Sequence, residues 1–289
     1  MNTVEMGNQS NLRVLARFLV SSETVIGIIV KGRLHEVEGA WAEVLGAWAN
    51  GQSDLELTGR SWDLGAGRLL IPVGPQARGI FCVGLNYDAH HREVDGSLGQ
   101  HERSKVVVFT KLAASLAAAG QDLELSGATS TEFDWEVELG VVIGRSGRWI
   151  TQDQAFDHVS GYTLVNDVTA RDAQRAHGQW FLGKNNHSST PVGPWIIHRD
   201  DLGSPPAVRL RLSVNGEVKQ DGNTGDMIHS IPELIETISS YVELQVGDII
   251  ATGSPAGVGF IRVPPEFLAP GDVLRTEIVD YMSMENAVS

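Results

Sequence analysis

The stretch EFDWEVELGVVIG, residues 132–144, carries acidic side chains at alternate positions and then becomes wholly apolar. Because successive side chains of a strand point to opposite faces, Asp134, Glu136 and Glu138 would line one face. The ordinary interpretation of such alternation is a one-sided sheet with a solvated acidic face. The apolar continuation instead favours a strand buried on both faces, with part of the carboxylate row in a cavity. There the carboxylates repel one another and lose hydration, so a cation or basic side chains must compensate them.

Another acidic residue lies at the end of a second apolar segment further along the chain. Asp167 ends the apolar segment GYTLVND, 29 residues after Glu138, where side chains would project from the end of a strand. Three carboxylates without histidine or cysteine suit a hard cation, with the remaining coordination positions left to water and substrate. These acids therefore predict a site for Mg²⁺ or Mn²⁺.

The remainder of the larger part of the chain is dominated by strand patterns, including an Asn215–Gly216 turn between two of them. The strand segments are KVVVFTKL (105–112), HVSGYTLVND (158–167), GPWIIH (193–198), VRLRLSVNGEVKQ (208–220), GDIIATG (247–253) and GDVLRTEIV (271–279). Helical patterns occur chiefly in NYDAHHREV (86–94), TARDAQRAH (169–177) and SIPELIETISSYV (230–242). This distribution predicts a β-dominated α+β fold without the regular alternation of a doubly wound sheet.

The N-terminal part has the pattern of a smaller unit. Short strands such as TVIGIIVKG (24–32) surround an amphipathic helix, VEGAWAEVLGAWANG (37–51), which is expected to end on Gly51. The turn-rich segment IPVGPQARG (71–79) follows. We therefore expect a small N-terminal α/β domain over 1–75 and a catalytic domain over 76–289.

Composition excludes several classes of protein. The 289 residues are 42% hydrophobic, enough for a full core, and the net charge of −14 argues against nucleic acid or an anionic membrane as partner. The single cysteine, Cys82, rules out an internal disulfide framework. No window reaches the roughly 20 apolar residues of a membrane span, and no targeting signal is visible, so we expect a cytoplasmic protein.

Well-known site motifs of other enzyme classes are absent from the sequence. It contains no Gly-x-Ser-x-Gly string, no Gly-x-Gly-x-x-Gly string and no His-Glu-x-x-His string. GQWFLGKN (178–185) approaches a phosphate-binding loop, but Asn185 stands where a serine or threonine would bind magnesium. Serine-hydrolase, dinucleotide-binding and zinc-protease chemistry are therefore set aside.

His90 and Glu93 form a candidate acid–base pair in NYDAHHREV. Three residues apart on a helical turn, they face the same way, so the carboxylate can orient the imidazole and raise its basicity. An exposed pair with this spacing is more commonly a surface feature. The residues alone leave both interpretations open.

Eight strings together resemble the fumarylacetoacetate hydrolase family and follow the order of that family over most of residues 80–280. They are CVGLNYDAHHRE (82–93), VVVFTKL (106–112), DWEVELGVVIG (134–144), GYTLVNDVTARDAQ (161–174), GQWFLGK (178–184), PVGPW (191–195), VNGEVKQDGNTGDMI (214–228) and GDIIATGSPAGVG (247–259). The resemblance implies a mixed β-sandwich roll around Mg²⁺ or Mn²⁺, usually in a homodimer. It also implies a small 2-oxo or 1,3-dicarbonyl acid as substrate, which is hydrolysed, decarboxylated or isomerised.

The resemblance also implies roles for individual residues. The metal ligands of the family match Glu136, Glu138 and Asp167, while Asp134 falls outside the motif. The implied catalytic residues are His90 and Glu93, which would activate water, and Lys184, which would hold a carboxylate or an oxyanion. The implied substrate-binding residues are Lys111, Arg171, Gln174 and Ser254.

The chain departs from the family pattern at two places. Members commonly carry Ser-Phe after the lysine, whereas this chain has NNHSST (185–190), and Ser254 replaces a usual threonine. We expect a metal-dependent hydrolase that cleaves a C–C bond in a small 2,4-dioxo acid. The alternatives are an oxaloacetate-type decarboxylase, a 2-hydroxydienoate isomerase, or a catalytically silent homologue that binds metal or ligand.

Overall fold

The computed structural model describes residues 4–7, 12–52, 54–74, 78–94, 102–125 and 127–289. Its strands are β1 (Val4–Met6), β2 (Val14–Val20), β3 (Glu23–Val30), β4 (Arg33–Val37), β5 (Leu57–Asp63), β6 (Arg68–Leu70), β7 (Gly79–Gly84), β8 (Val107–Leu112), β9 (Leu116–Ala117), β10 (Phe133–Asp134), β11 (Val137–Ile143), β12 (Val159–Asn166), β13 (Thr169–Ala170), β14 (Thr190–His198), β15 (Arg209–Val214), β16 (Glu217–Asn223), β17 (Ile249–Ala251), β18 (Val273–Ile278) and β19 (Met282–Ala287). Its α-helices are α1 (Trp41–Ala49), α2 (Asp88–Glu93), α3 (Arg171–Ala176), α4 (Phe181–Lys184), α5 (Arg199–Leu202) and α6 (Ile231–Tyr241). Short 3₁₀ helices cover Leu64–Ala66, Ala113–Ser115, Gln152–His158 and Thr224–Asp226.

The larger of the two main sheets is mixed and holds the centre of the molecule. Its strand order is β5-β4-β3-β2-β14-β12-β11-β17-β7-β8, with β6 also paired to β2 and β9 to β14. The pairs β17–β7 and β14–β9 are parallel, and the other pairs are antiparallel. Every residue of β11 and β12 is buried, which explains why both segments are apolar on both faces.

The smaller sheet has the order β1-β19-β18-β15-β16, and its strands β15, β18 and β19 pack on the larger sheet. Val141 of β11 belongs to the core cluster that this packing forms, whereas the next residue, Val142, belongs to a second cluster with Leu45 and Trp48 of α1. Alternate side chains of one strand therefore fill two cores on opposite faces. The prediction of a β-dominated α+β fold with mixed sheets is confirmed.

The N-terminal strands β2 to β6 continue the larger sheet. Leu15 of β2 pairs with Ile196 of β14, so the backbone ladder runs from the N-terminal part into the catalytic part without a break. The predicted domain boundary near residue 75 falls on 75–77, outside the described residues. The division into 1–75 and 76–289 stays a prediction.

Local sequence signals explain the ends of several elements. Helix α1 ends before Gly51, whose φ is +78°, as expected from the helical pattern. Ser230 and Glu233 form a capping box at the start of α6. The predicted hairpin turn is present between β15 and β16, with φ of +52° at Asn215 and +82° at Gly216.

The stretch 132–144 differs from the single strand that its alternation suggests. It is divided into β10 and β11, with Trp135 and Glu136 between them, because the chain pairs first with β13 and then with β12. The partner strands are also separated at this point, because β12 ends at Asn166 and β13 begins at Thr169. Between them the N–H of Asp167 donates to the carbonyl of Glu136 at 2.8 Å. The regular strand pairing is therefore interrupted next to the acidic side chains.

Among the described residues, no helix combines the length and the apolar character that a membrane-crossing helix requires.

Candidate metal centre and active site

Glu136, Glu138 and Asp167 converge at this interruption of the strand pairing. One carboxylate oxygen from each lies within 4.8 Å of those of the other two, and all three side chains are buried. Glu136 directly precedes β11 and Glu138 is its second residue, whereas Asp167 directly follows β12, which pairs with β11 in antiparallel register. The alternative of a solvated acidic face is therefore wrong, because Asp134, Glu136 and Glu138 are each at most 5% exposed.

Two lysines occupy the same buried space. The Lys184 ammonium donates to Glu136 Oε2 and to Asp167 Oδ2, both at 2.7 Å, and lies 4.8 Å from the centre of the Phe109 ring. The Lys111 ammonium donates to Asp167 Oδ1 at 2.6 Å and to the Val168 carbonyl at 2.8 Å. Both lysines thus contact the carboxylates that the sequence predicts as metal ligands.

The neighbouring positive charges balance the negative charges of the carboxylates to different extents. Burial alone would raise the pKa of Glu136, but the charges of Arg171 and Lys184 outweigh it and lower that pKa. Burial raises the pKa of Glu138 well above its usual value, and the charges of Asp167 and Glu136 add to this increase. Within the described residues Glu138 has no ion-pair partner, and it accepts a hydrogen bond from the Gly253 N–H at 2.8 Å. The cluster therefore lacks positive charge at Glu138.

The donor set fits a hard divalent cation. Its ligand atoms are all carboxylate oxygens, and one of these carboxylates, Glu138, is buried without a salt bridge to any residue that the structure describes. Four buried carboxylates, including Asp134, stand against the three cations Lys111, Lys184 and Arg171. With all four carboxylates ionised, a bound divalent cation would bring the formal sum to one positive charge, which favours an anionic substrate. The identity of the metal, Mg²⁺ or Mn²⁺, stays a prediction.

His90 and Glu93 form the expected pair on α2. His90 is only 3% exposed, and its Nδ1 lies 2.7 Å from Glu93 Oε1, so the pair is not the surface feature that its spacing alone would allow. The Gly257 N–H donates to both oxygens of Glu93, at 3.1 and 3.0 Å. Gly257 has a φ of +110°, and a Cβ there would lie 2.3 Å from the Lys219 carbonyl, so the turn requires glycine.

Arg171 and Gln174 lie at the start of α3, beside the carboxylates. Arg171 is fully buried and donates to Asp134 Oδ2 at 3.0 Å, to Gln174 Oε1 at 3.0 Å and to Glu136 Oε1 at 2.5 Å. Its contacts are therefore with side chains of the protein. The substrate-binding roles of Lys111, Arg171, Gln174 and Ser254 stay predictions.

Sequence reasoning assigned no role to two polar residues next to the site. Gln220 donates to Ser254 Oγ at 2.7 Å and accepts from the N–H of Val137 at 2.9 Å, so it joins Ser254 to the start of β11. Asn86 donates to the Thr252 carbonyl at 2.8 Å and joins the chain before α2 to the same loop. Both residues lie in sequence strings that resemble the family, and this resemblance was the signal that could have identified them. An amide side chain does not by itself indicate a catalytic or metal-binding role.

The unusual segment NNHSST begins at the open edge of the larger sheet. The Asn185 side chain accepts from the Leu112 N–H at 2.6 Å and donates to the Thr110 carbonyl at 3.0 Å, so it caps the free edge of β8. His187 is exposed. The bonds of Asn185 therefore satisfy the backbone of β8, the strand that carries Lys111.

Comparisons with known proteins cover the part of the chain that contains this site. A family model described as Fumarylacetoacetate (FAA) hydrolase C-terminal matches residues 79–289, a range that contains every site residue discussed above. The oxaloacetate tautomerase YisK of Bacillus subtilis (strain 168) is 40% identical over 233 residues, which cover 81% of this chain and 77% of that protein.

Two solved structures extend the similarity to almost the whole chain. A fumarylacetoacetate hydrolase from the psychrophile Exiguobacterium antarcticum has a TM-score of 0.82 at 33% identity and covers 96% of this chain and 99% of its own. A 2-hydroxyhepta-2,4-diene-1,7-dioate isomerase from Mycobacterium marinum has a TM-score of 0.78 at 31% identity, with coverages of 96% and 98%. The chain is thus similar both to a protein named as a hydrolase and to proteins named as a tautomerase and an isomerase.

Proposed function

Since this chain belongs to the fumarylacetoacetate hydrolase family, we propose that it is a Mg²⁺- or Mn²⁺-dependent tautomerase of a small 2-oxo dicarboxylic acid such as oxaloacetate. The observation that carries the proposal is the similarity over four-fifths of the chain to a protein named as an oxaloacetate tautomerase. The buried carboxylates, the two lysines and the His90–Glu93 pair support it, because together they supply a cation site and an acid–base group. C–C bond hydrolysis, our expectation from the sequence, becomes the second candidate.

The proposed reaction moves one proton. The O–H bond at carbon 2 of the enol breaks and a C–H bond forms at carbon 3. The double bond moves from carbons 2 and 3 to carbon 2 and its oxygen, so no atom is gained or lost. His90 would exchange this proton through Nε2, because its Nδ1 is engaged by Glu93. Lys184 donates two of its three ammonium hydrogens to Glu136 and Asp167, which leaves the third for an anionic group of the substrate. A divalent cation bound by Glu136, Glu138 and Asp167 would supply positive charge beside the 2-oxo oxygen.

The proposal is tested with the enol form of oxaloacetate. With Mn²⁺ or Mg²⁺ present, the purified protein is expected to speed the loss of enol absorbance over the buffer rate, and a chelator is expected to abolish the acceleration. Mass spectrometry of the product then checks that all four carbons of the acid are retained. Release of CO₂ would instead identify a decarboxylase.

The second candidate is favoured by the His90–Glu93 pair with its buried imidazole, an arrangement that suits the activation of water. It is tested with acylpyruvates and fumarylpyruvate-like acids under the same conditions. Two acids formed from one substrate molecule would establish hydrolysis. No turnover of any of these substrates would favour a catalytically silent homologue. The homodimer and the cytoplasmic location that the sequence suggests also stay proposals.

Replacing Lys184 with methionine is expected to separate turnover from metal binding. The ammonium contacts one oxygen of Glu136 and one of Asp167, the carboxylates that would hold the cation, so its removal is expected to leave the Kd for Mn²⁺ unchanged or lower it. Turnover is expected to fall by about 10²–10³-fold, the usual effect of losing one fixed group that stabilises developing negative charge. Mn²⁺ titration and steady-state kinetics measure the two effects.

Lys105→Met is the matched control, because Lys105 is exposed and pairs with exposed Glu102. It is expected to leave both quantities unchanged. Wild-type kcat/KM in Lys184→Met would show that this lysine only balances the charge of the carboxylates.

A further inference from the structure

Asp134 is a fully buried carboxylate that the family motif does not include. Its Oδ1 accepts hydrogen bonds from the N–H of Trp135 at 2.6 Å and of Gly259 at 2.8 Å. Its Oδ2 accepts from the N–H of Phe260 at 3.0 Å and from Arg171 Nε at 3.0 Å. Four donors therefore converge on one side chain, and two of them belong to the backbone of a distant loop.

Arg171 extends this network to the predicted metal ligands. Another nitrogen of the guanidinium, Nη2, donates to Glu136 Oε1 at 2.5 Å, while Nη1 donates to Gln174 Oε1 at 3.0 Å. The guanidinium also lies over the ring of Phe260, 4.4 Å from its centre. Because the guanidinium is planar and held on three sides, its orientation fixes where Glu136 Oε1 can lie.

The backbone loop on Asp134 leads to the acid–base pair. Gly257, two residues before Gly259, donates its N–H to both oxygens of Glu93, and Glu93 bonds His90 Nδ1 at 2.7 Å. A shift of the loop that loosened Gly259 from Asp134 would therefore move the donor that holds Glu93. Asp134 is therefore connected to Glu136 through Arg171, and to Glu93 through the loop 257–260.

We propose that Asp134 is a positioning residue that aligns the metal-ligand carboxylate Glu136 with the His90–Glu93 pair, through Arg171 on one side and the loop 257–260 on the other. The inference assigns Arg171 to the protein's own carboxylates in place of the substrate role that the resemblance implies. It rests on the metal site of the proposed function. It does not depend on which substrate the enzyme takes.

Asp134→Asn is the informative substitution because it changes little volume and removes one acceptor. All four partners of Asp134 are donors, so either orientation of the asparagine amide places an NH₂ group against an N–H. The variant therefore has to release Arg171 or the loop. The predicted consequence is misalignment of Glu136 or of Glu93.

The experiment measures Mn²⁺ affinity and, separately, kcat at saturating Mn²⁺. Asp134→Asn is expected to raise the Kd for Mn²⁺ by about 10–100-fold, the usual effect of losing a group that orients a metal ligand. We also expect kcat to stay below the wild-type value when Mn²⁺ is saturating, because the loop and Glu93 have moved as well. A role limited to stability would lower the melting temperature and leave both quantities unchanged, which would overturn the proposal.

Glu132→Gln is the matched control. Glu132 lies two residues before Asp134 and pairs with Arg175, which lies four residues after Arg171 on α3, but this ion pair is partly exposed. Its loss is expected to leave the Kd for Mn²⁺ within about twofold of the wild-type value, as for most exposed pairs. Unmodified protein is titrated first, since a complete absence of Mn²⁺ binding there would contradict the proposed function itself.

A measurement on the unmodified protein covers the case in which Asp134→Asn does not fold. If Asp134 couples the loop to Glu136, binding of Mn²⁺ is expected to slow hydrogen exchange at the amides of Gly259 and Phe260. The exposed amide of Gly225, bonded to Asn223 Oδ1 at 2.8 Å in another loop, is the internal reference and is expected not to change. Equal exchange at Gly259 and Phe260 with and without Mn²⁺ would overturn the coupling.

Discussion

Asp167→Asn is expected to abolish metal binding and turnover together. The Asp167 side chain is fully buried, lies among the predicted metal ligands, and accepts from Lys111 at 2.6 Å and from Lys184 at 2.7 Å. An amide cannot replace its negative charge, so a hard cation loses a ligand while two buried ammonium groups lose their shared partner. We expect turnover to fall by about 10²–10³-fold or more, since several electrostatic contacts are lost at once.

The same substitution is expected to destabilise the protein. Removing one partner of a buried ion pair typically costs about 3–5 kcal/mol, because the remaining charge stays buried without compensation. Metal content is measured on purified protein together with the melting temperature, which distinguishes loss of a ligand from loss of the fold. Glu136→Gln, which removes a second predicted ligand, is expected to lose metal in the same way.

Asp221→Asn is the control for this prediction. Asp221 pairs with Arg209 on the surface of the smaller sheet, where solvent screens the interaction. The variant is expected to retain wild-type metal content and activity. Undiminished Mg²⁺ or Mn²⁺ in both Asp167→Asn and Glu136→Gln would remove these residues from the ligand set.

His90→Ala is expected to retain metal but to lose turnover by about 10²–10⁴-fold, the usual contribution of a positioned acid–base group. His90 contacts Glu93 rather than a predicted metal ligand, and Glu136, Glu138 and Asp167 remain in place. Glu93→Gln is expected to cause a smaller loss, because glutamine can still orient the imidazole but carries no negative charge. Mn²⁺ titration and single-turnover kinetics separate the effects.

His91→Ala, on the same helix, is the matched control and is expected to keep wild-type turnover. The kind of reaction that His90→Ala impairs then discriminates between the candidate functions. Loss of enol–keto conversion supports the tautomerase proposal, whereas loss of C–C cleavage supports the hydrolase. Wild-type rates on the identified substrate would exclude His90 from proton transfer in either reaction.

Much of the fold and the predicted metal ligands could be inferred from the sequence. Strand periodicity and continuous apolar runs predicted the β-dominated sheet that β11 and β12 confirm. The alternating carboxylates Glu136 and Glu138 and the position of Asp167 at the end of an apolar segment suggested a carboxylate cluster. In the structure, one oxygen of each of these three side chains lies within 4.8 Å of those of the other two. These features were accessible because side-chain chemistry and strand period are local properties of a chain.

Only the tertiary structure decided how the site is assembled. It divided the acidic stretch between two pairing partners, buried Arg171 between Asp134 and Glu136, and set the N–H groups of a glycine-containing loop on Glu93 and Asp134. Every residue except proline has such a backbone donor, so sequence does not distinguish the donors that matter. Their directions depend on backbone dihedral angles and on strand pairs between residues more than a hundred positions apart, which exist only once the two sheets have packed.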